Sequence, residues 1–433
     1  MTASVQKGPA ALGVWLLALF ALTPSFGGQD HPQPLIREIR ISGLQHTRES
    51  VVREQLVCEV GRPYDPTTVQ KDIERLDRLG VFSSIEIQPV TVTGGIVIEI
   101  RVSETIPYLV YPSFDANDEN GLSAGLGVMT VNLFGRAVAV SGKARFGNGT
   151  TLSLDLRSPW RTRMPWWCQF EFHQRFRPNS LDDFEETASE IDFRFGRKIS
   201  DSVRYGGRFL YTVLASNVAG ITLSPGNRDN TPGLGFLVQH DTRDLVSNPH
   251  RGWWNEFELV QNGGFLGGEG DYLTANLDLR RYQPVAKRHT VAVFSLLTLQ
   301  GGTVGSDVPL YQDFHIGGTN TIRGWDLDAR HGKNQFLHTL EYRYELLPPR
   351  NWKFLGLRFF TGVHLAAFAD AGTAWDRGSD FTRNFIGGGG FGIRLVMPYL
   401  SLLRFDFGFG EGSGLKLHFG IEEKPEKQRK RIR

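Results

Sequence analysis

From about residue 107 to residue 422 the chain is written in runs of roughly ten residues, the length of a membrane-spanning strand, in which apolar and polar side chains take turns. In Leu340–Leu347 (LEYRYELL), Leu340, Tyr342, Tyr344 and Leu346 oppose Glu341, Arg343 and Glu345. In Leu402–Phe409 (LLRFDFGF), Leu403, Phe405, Phe407 and Phe409 oppose Arg404, Asp406 and Gly408. Leu415–Glu422, Tyr272–Arg280, Thr151–Arg157 and Glu190–Gly196 repeat the pattern. Successive side chains of a strand point to opposite faces, so each run carries one apolar-aromatic face and one charged face. A soluble β-sandwich also buries one face, but here nearly every strand carries a charged one. We expect an all-β antiparallel transmembrane barrel over residues 107–422, with about 16 strands, whose polar faces line a wet lumen. Closure leaves no unpaired edge in lipid, where an unmet amide or carbonyl costs several kcal/mol.

Composition agrees with this class. Glycine (50) and phenylalanine (30) are abundant, methionine (4) is scarce, and past the N-terminus no stretch nears the ~20 apolar residues of a membrane helix. The tryptophans at 160, 166, 167, 253 and 254 are expected in aromatic girdles at the membrane interfaces. The net charge of +2 implies no nucleic-acid partner. Cys58 and Cys168 fall in different expected domains, so neither a disulfide between them nor a metal site is expected.

The N-terminal region reads differently. Lys7, the apolar run Ala11–Leu22 and small residues at Ser25–Gly28 give a signal peptide over residues 1–28. Residues 35–104 form an α/β unit of order β-α-α-β-β. Ile36, Ile39 and Ile41 mark a strand, and Thr47 is placed to cap a helix over TRESVVREQL. Val69, Ile73, Leu76 and Leu79 mark a second helix closed by Gly80. The strands SIEIQPVTV and GIVIEIRV join through Thr93-Gly94-Gly95. Residues 423–433 are a charged tail. Residues 300–335 form a Gly-rich connection long enough to suggest a function.

Inside that connection, Gly317–Trp325 reads GGTNTIRGW. It resembles the signature loop of the BamA/TamA outer-membrane assembly superfamily, and Leu35–Glu104 resembles a single POTRA domain. The family's Arg-Gly-aromatic triplet would be Arg323, Gly324 and Trp325, where Tyr or Phe is usual in the last place; Gly317 and Gly318 open the motif. The resemblance implies that the loop folds into the barrel and that its arginine meets inner-wall acids, here Glu341 and Asp370. A guanidinium offers a rigid fork that lysine cannot copy. His240–Gly252 resembles a mid-barrel hairpin, Gly387–Pro398 the third-last strand, and Gly414, Leu417 and Phe419 a terminal-strand signal.

The resemblance implies an outer-membrane protein with its POTRA domain in the periplasm. It would bind unfolded outer-membrane or secreted clients there, with periplasmic accessory proteins as candidate partners. Insertion would follow through a weak seam between first and last strands or through thinning of the bilayer. Gly408, Gly410, Gly412 and Gly414 read either as a loosely packed seam or as tight turns. A two-partner secretion pore and a passive channel remain alternatives. No G-x-S-x-G, H-E-x-x-H or P-loop is present, so neither an enzyme nor a cofactor is expected. His315, His338 and His418 read as lumen or loop residues.

Overall fold

The computed structural model describes residues 34–422 apart from 78, 106–107, 118–120, 159–164, 180, 245–247, 355–356, 379, 397–401 and 412. The expected leader and tail, and Trp160, lie outside the described residues.

The N-terminal unit runs β1 (Ile36–Ser42), α1 (Glu49–Arg53), α2 (Pro66–Asp77), β2 (Phe82–Val92) and β3 (Gly95–Glu104). Its sheet order is β1-β3-β2, with β1 parallel and β2 antiparallel to the central strand. Asp65 caps α2 through the Thr67 amide (2.9 Å), with Pro66 opening the first turn. Ile36, Val51, Val52, Leu76, Ile98 and Ile100 are wholly buried between sheet and helices.

Thr47 does not cap α1, which starts after Arg48 with no side-chain cap. Its amide donates to Glu104 Oε1 (2.7 Å), and its hydroxyl accepts from Asn132 of the barrel (2.8 Å). A partner 85 residues away, in another part of the fold, displaces the local cap.

Sixteen antiparallel strands follow in one sheet. The first eight are β4 (Tyr108–Asn117), β5 (Gly121–Leu133), β6 (Val138–Gly147), β7 (Thr150–Ser158), β8 (Trp166–Asn179), β9 (Phe184–Lys198), β10 (Val203–Ser216) and β11 (Arg228–Asp241). Then come β12 (Gly252–Gly263), β13 (Asp271–Ala286) and β14 (His289–Gln300). The long connection holds a small hairpin, β15 (Phe314–Ile316) and β16 (Arg330–Gly332). The wall resumes with β17 (Asn334–Phe354), β18 (Leu357–Trp375), β19 (Ile386–Val396), β20 (Leu402–Gly410) and β21 (Ser413–Glu422). The edge strands β4 and β21 lie side by side, yet among the described residues no hydrogen-bonded register joins them.

Period two sets the faces. Leu340 is 48% exposed on the outer wall, while its neighbour Glu341 is 4% exposed on the inner one. The same rule corrects the girdle assignment. Trp166 and Trp253 point outward, but Trp167 and Trp254 are buried inside, stacked under Arg204 and Arg280 at 4.5 Å. Two adjacent tryptophans on one strand cannot both face lipid.

The N-terminal unit seats on the near end of the barrel. Arg48 donates its amide to Gly135 O in the β5–β6 turn (2.9 Å), and Arg75 pairs with Asp201 in the β9–β10 turn (3.0 Å). The β8–β9 turn and the long loop lie at the other end, because successive antiparallel strands alternate ends.

Candidate functional site

The long loop enters the barrel and presents its tip, Gly317–Trp325, to the inner wall. Thr321 braces the turn: its hydroxyl accepts the Gly317 amide (2.7 Å) and donates to Gly317 O (2.6 Å). Gly317 (φ 121°) and Gly324 (φ 92°) occupy conformations that favour glycine. A Cβ on Gly317 would lie 1.9 Å from Asp326 O, and one on Gly324 would lie 2.4 Å from the Phe409 carbonyl carbon. The apolar residues Ile316 and Ile322 pack with Leu296, Leu337, Ala374 and Ile386 to hold the loop against the wall.

The Arg323 side chain is 2% exposed. Its Nε and an Nη donate to the two oxygens of Asp370 at 2.7 and 3.0 Å, a bidentate fork, and its amide adds a third bond at 3.2 Å. The other Nη reaches Asp406 (2.9 Å) and Glu341 (3.4 Å). The guanidinium carbon lies 3.4 Å from the Phe368 ring centroid. Arg394 bridges Glu341 (3.1 Å) and Asp406, and Arg343 holds the second oxygen of Glu341 (2.7 Å). The three carboxylates Asp370, Asp406 and Glu341 thus meet the guanidiniums of Arg323, Arg394 and Arg343, with Arg404 a fourth at 3.8 Å from Asp406. A buried set of charges is tolerated when it is balanced and hydrogen-bonded in this way.

Trp325 Nε1 donates to Gly387 O on β19 (2.7 Å), and Gly318 donates its amide back to Trp325 O (3.1 Å). The tip also reaches β21. The Gly324 amide donates to His418 Nε2 (2.9 Å), and the other ring nitrogen of His418 sits 3.2 Å from the Thr319 hydroxyl. Lys416, also on β21, pairs with Asp326.

The glycines of β19 and β20 make room for this. A Cβ at Gly388 would lie 2.1 Å from Arg323 O, at Gly408 2.6 Å from Gly324 N, and at Gly410 2.6 Å from the Trp325 ring. Gly408 and Gly410 therefore floor a groove for the loop tip, and Gly410, paired with Ser413, also closes the tight turn between β20 and β21; Gly412 lies outside the described residues. Gly414, by contrast, has open space where its Cβ would be. Leu417 faces outward, and Phe419 packs on Phe405 across the β20–β21 pair at 5.1 Å.

Sequence reasoning missed Asp406, Arg394 and His418. Asp406 and His418 stood on polar positions of their strands, but nothing in the chain says at what height in the lumen a polar residue lies. The loop selects those at its own level.

A small α/β unit followed by a sixteen-stranded barrel, filled by its own arginine-tipped loop, defines a membrane barrel with an attached soluble module. Residues 132–424 match the Omp85 superfamily domain, and residues 34–105 match the POTRA family, described as a surface antigen variable number repeat. The chain belongs to the Omp85 superfamily. It is an outer-membrane β-barrel whose POTRA domain lies in the periplasm, so the far end of the barrel faces the cell surface.

Among curated proteins it is similar to the outer membrane protein assembly factor BamA of Neisseria meningitidis serogroup B, 23% identical over 79% of this chain and 46% of that protein. It is also 23% identical to the BamA of Nitratidesulfovibrio vulgaris, over 80% and 44%. The chain spans less than half the length of these relatives. Among solved structures it resembles BamA from Haemophilus ducreyi lacking POTRA domains 1–3 (TM-score 0.63, 16% identity, covering 89% of this chain and 83% of that one). It also resembles CdiB from Acinetobacter baumannii (TM-score 0.64, 14% identity, 90% and 73%). At these identities the structures share the fold.

Proposed function

We propose that this chain is an outer-membrane protein assembly factor. Its POTRA domain receives unfolded outer-membrane or secreted chains in the periplasm, and the β4–β21 seam admits client strands to the bilayer. The observation that carries this reading is the junction between β4 and β21, where the two strands lie side by side with no hydrogen-bonded register among the described residues, beside a firmly anchored loop. A client strand that paired with either edge strand at that junction would not leave its own amides and carbonyls facing lipid alone. The Arg323 tip ties β17 to β21 from inside, which holds one side of the seam fixed while the other can part. In this reading Arg323, Gly324 and Trp325 are the loop anchor, Glu341 and Asp370 are its inner-wall acids, and Gly414, Leu417 and Phe419 belong to the strand that meets the client.

A passive channel fits less well, because the loop occupies the lumen and its arginine is closed off by three carboxylates. Depletion of the protein, with outer-membrane protein levels as the readout, tests the proposal. Loss of several barrel proteins supports it. Loss of a single secreted protein favours a two-partner secretion pore. Unchanged levels with large planar-bilayer conductance favour a channel.

A further inference from the structure

At the cell-surface end, the small hairpin of the long loop sets two histidines opposite each other. His315 on β15 pairs in register with His331 on β16, their ring centroids 5.7 Å apart. Asp328, held at φ 60°, turns one carboxylate oxygen to both rings: Oδ1 is 2.7 Å from His315 Nδ1 and 3.4 Å from His331 Nδ1. One donor atom from each of the three residues lies within 4.8 Å of the others. From the β8–β9 turn, Asp182 brings Oδ1 to 3.3 Å from His315 Nε2, which is buried and makes no hydrogen bond among the described residues. Asp313 is buried beside this group, and its Oδ1 also has no hydrogen-bond partner there.

The charge balance differs from that of the lumen anchor. There each acid meets arginine. Here, among the described residues, neither Asp313 nor Asp328 has an ion pair with any lysine or arginine. The buried Asp313 and the half-buried Asp328 thus lie beside imidazoles alone, which do not offset their charge while neutral. A divalent ion would. Tetrahedral zinc with bonds of about 2.0–2.2 Å sets its donors roughly 3.3 Å apart, close to the 3.4 Å between Asp328 Oδ1 and His331 Nδ1, and all three donor atoms are near enough together to close on one ion. Mixed imidazole and carboxylate donors favour zinc over calcium or magnesium, which prefer all-oxygen shells. Because both ring nitrogens of His315 face carboxylates, one can bind metal while the other is held and oriented.

We propose that His315, His331 and Asp328 form a zinc site on the cell-surface side of the barrel, clamping the two strands of the loop hairpin, with Asp182 of the β8–β9 turn holding the other ring nitrogen of His315. The inference is independent of the assembly role. The test uses the full chain without a polyhistidine tag, folded in detergent micelles, stripped with chelator, exposed to zinc chloride and desalted. Elemental analysis should find about one zinc per chain in the parent. His331→Ala and Asp328→Asn should each retain at least about tenfold less, while His289→Gln, at the periplasmic end, should retain as much as the parent. His331 is exposed, so its loss leaves the hairpin packing in place, and heat-modifiable migration confirms that the barrel is folded. If Asp328→Asn does not fold, His331→Ala alone decides. A folded parent that holds no zinc, or a His331→Ala variant that holds as much as the parent, overturns the site.

Discussion

Gly324 and His418 are joined by a hydrogen bond of 2.9 Å from the tip of a loop to the last strand of the wall around it. With Arg323 on Asp370, Glu341 and Asp406, and Trp325 on Gly387, the loop touches every strand from β17 to β21. The five strands that end at the seam are thereby laced from within.

Arg323→Ala removes the one cation that touches all three acids of the buried box, leaving Asp370 without its fork. The uncompensated charge should destabilise the anchor by about 3–5 kcal/mol. We expect a folded barrel with a lower transition in heat-modifiability and reduced client assembly. Arg323→Lys restores charge without the fork and should recover only part. Exchanging Arg323 and Glu341 should not rescue, because the fork is directed chiefly at Asp370. Parent-like behaviour of Arg323→Ala in both assays would refute the anchor.

His418→Ala takes away the acceptor for a buried amide, a loss of about 1–3 kcal/mol. The loop should become more open to protease added from the cell-surface side, and His418→Gln, which keeps an acceptor, should be less affected. Equal cleavage of both variants and the parent would show that the bond does not hold the tip.

Glycine substitutions should separate two uses of the residue. Gly324→Ala and Gly388→Ala each drive a methyl into backbone at 2.4 and 2.1 Å, so both should displace the tip and lower the melting transition. Gly414→Ala meets open space and should change stability by less than about 0.5 kcal/mol. Circular dichroism melts in detergent compare the three. If Gly414→Ala impaired client assembly at unchanged stability, its place in the terminal-strand signal would be one of recognition.

The seat of the POTRA domain should respond to acid. Burial alone would raise the Glu104 carboxyl, but amide bonds from Thr47, Gln45 and His46 and the contact with the Thr47 side chain outweigh it and bring it from 4.5 to about 2. A carboxyl lowered on folding stabilises above its unfolded value. That contribution is whole above about pH 5 and is lost as pH falls from there toward 2. Protease cleavage between POTRA and barrel should rise over this interval in the parent, and Glu104→Gln should cleave readily already at pH 7. A flat profile in the parent would contradict the clasp.

Much of this was legible in the chain. Alternation alone put Glu341 and Asp406 inside and Leu340 and Phe409 outside, since a strand offers no other choice. The pairing of Arg323 with Glu341 and Asp370 follows only from the family resemblance, because alternation puts the acids on the inner wall without saying which loop reaches them. What stayed hidden depends on distance along the chain. Asp406 lies 83 residues from Arg323 and His418 lies 94 from Gly324, and the stagger of sixteen strands decides which residues share a level. Thr47 misled for the same reason: a good local cap was outbid by Glu104 and by a residue of the barrel. The girdle reading of Trp167 and Trp254 ignored the alternation that had served elsewhere.

The most direct measurement of the central claim is client folding in vesicles. The full chain is reconstituted into liposomes, and a urea-unfolded outer-membrane barrel is diluted in from the POTRA side. The account predicts that the client reaches its heat-modifiable, protease-protected form several-fold faster than in protein-free liposomes, and that Arg323→Ala loses most of the gain. Equal rates with and without the protein would contradict it.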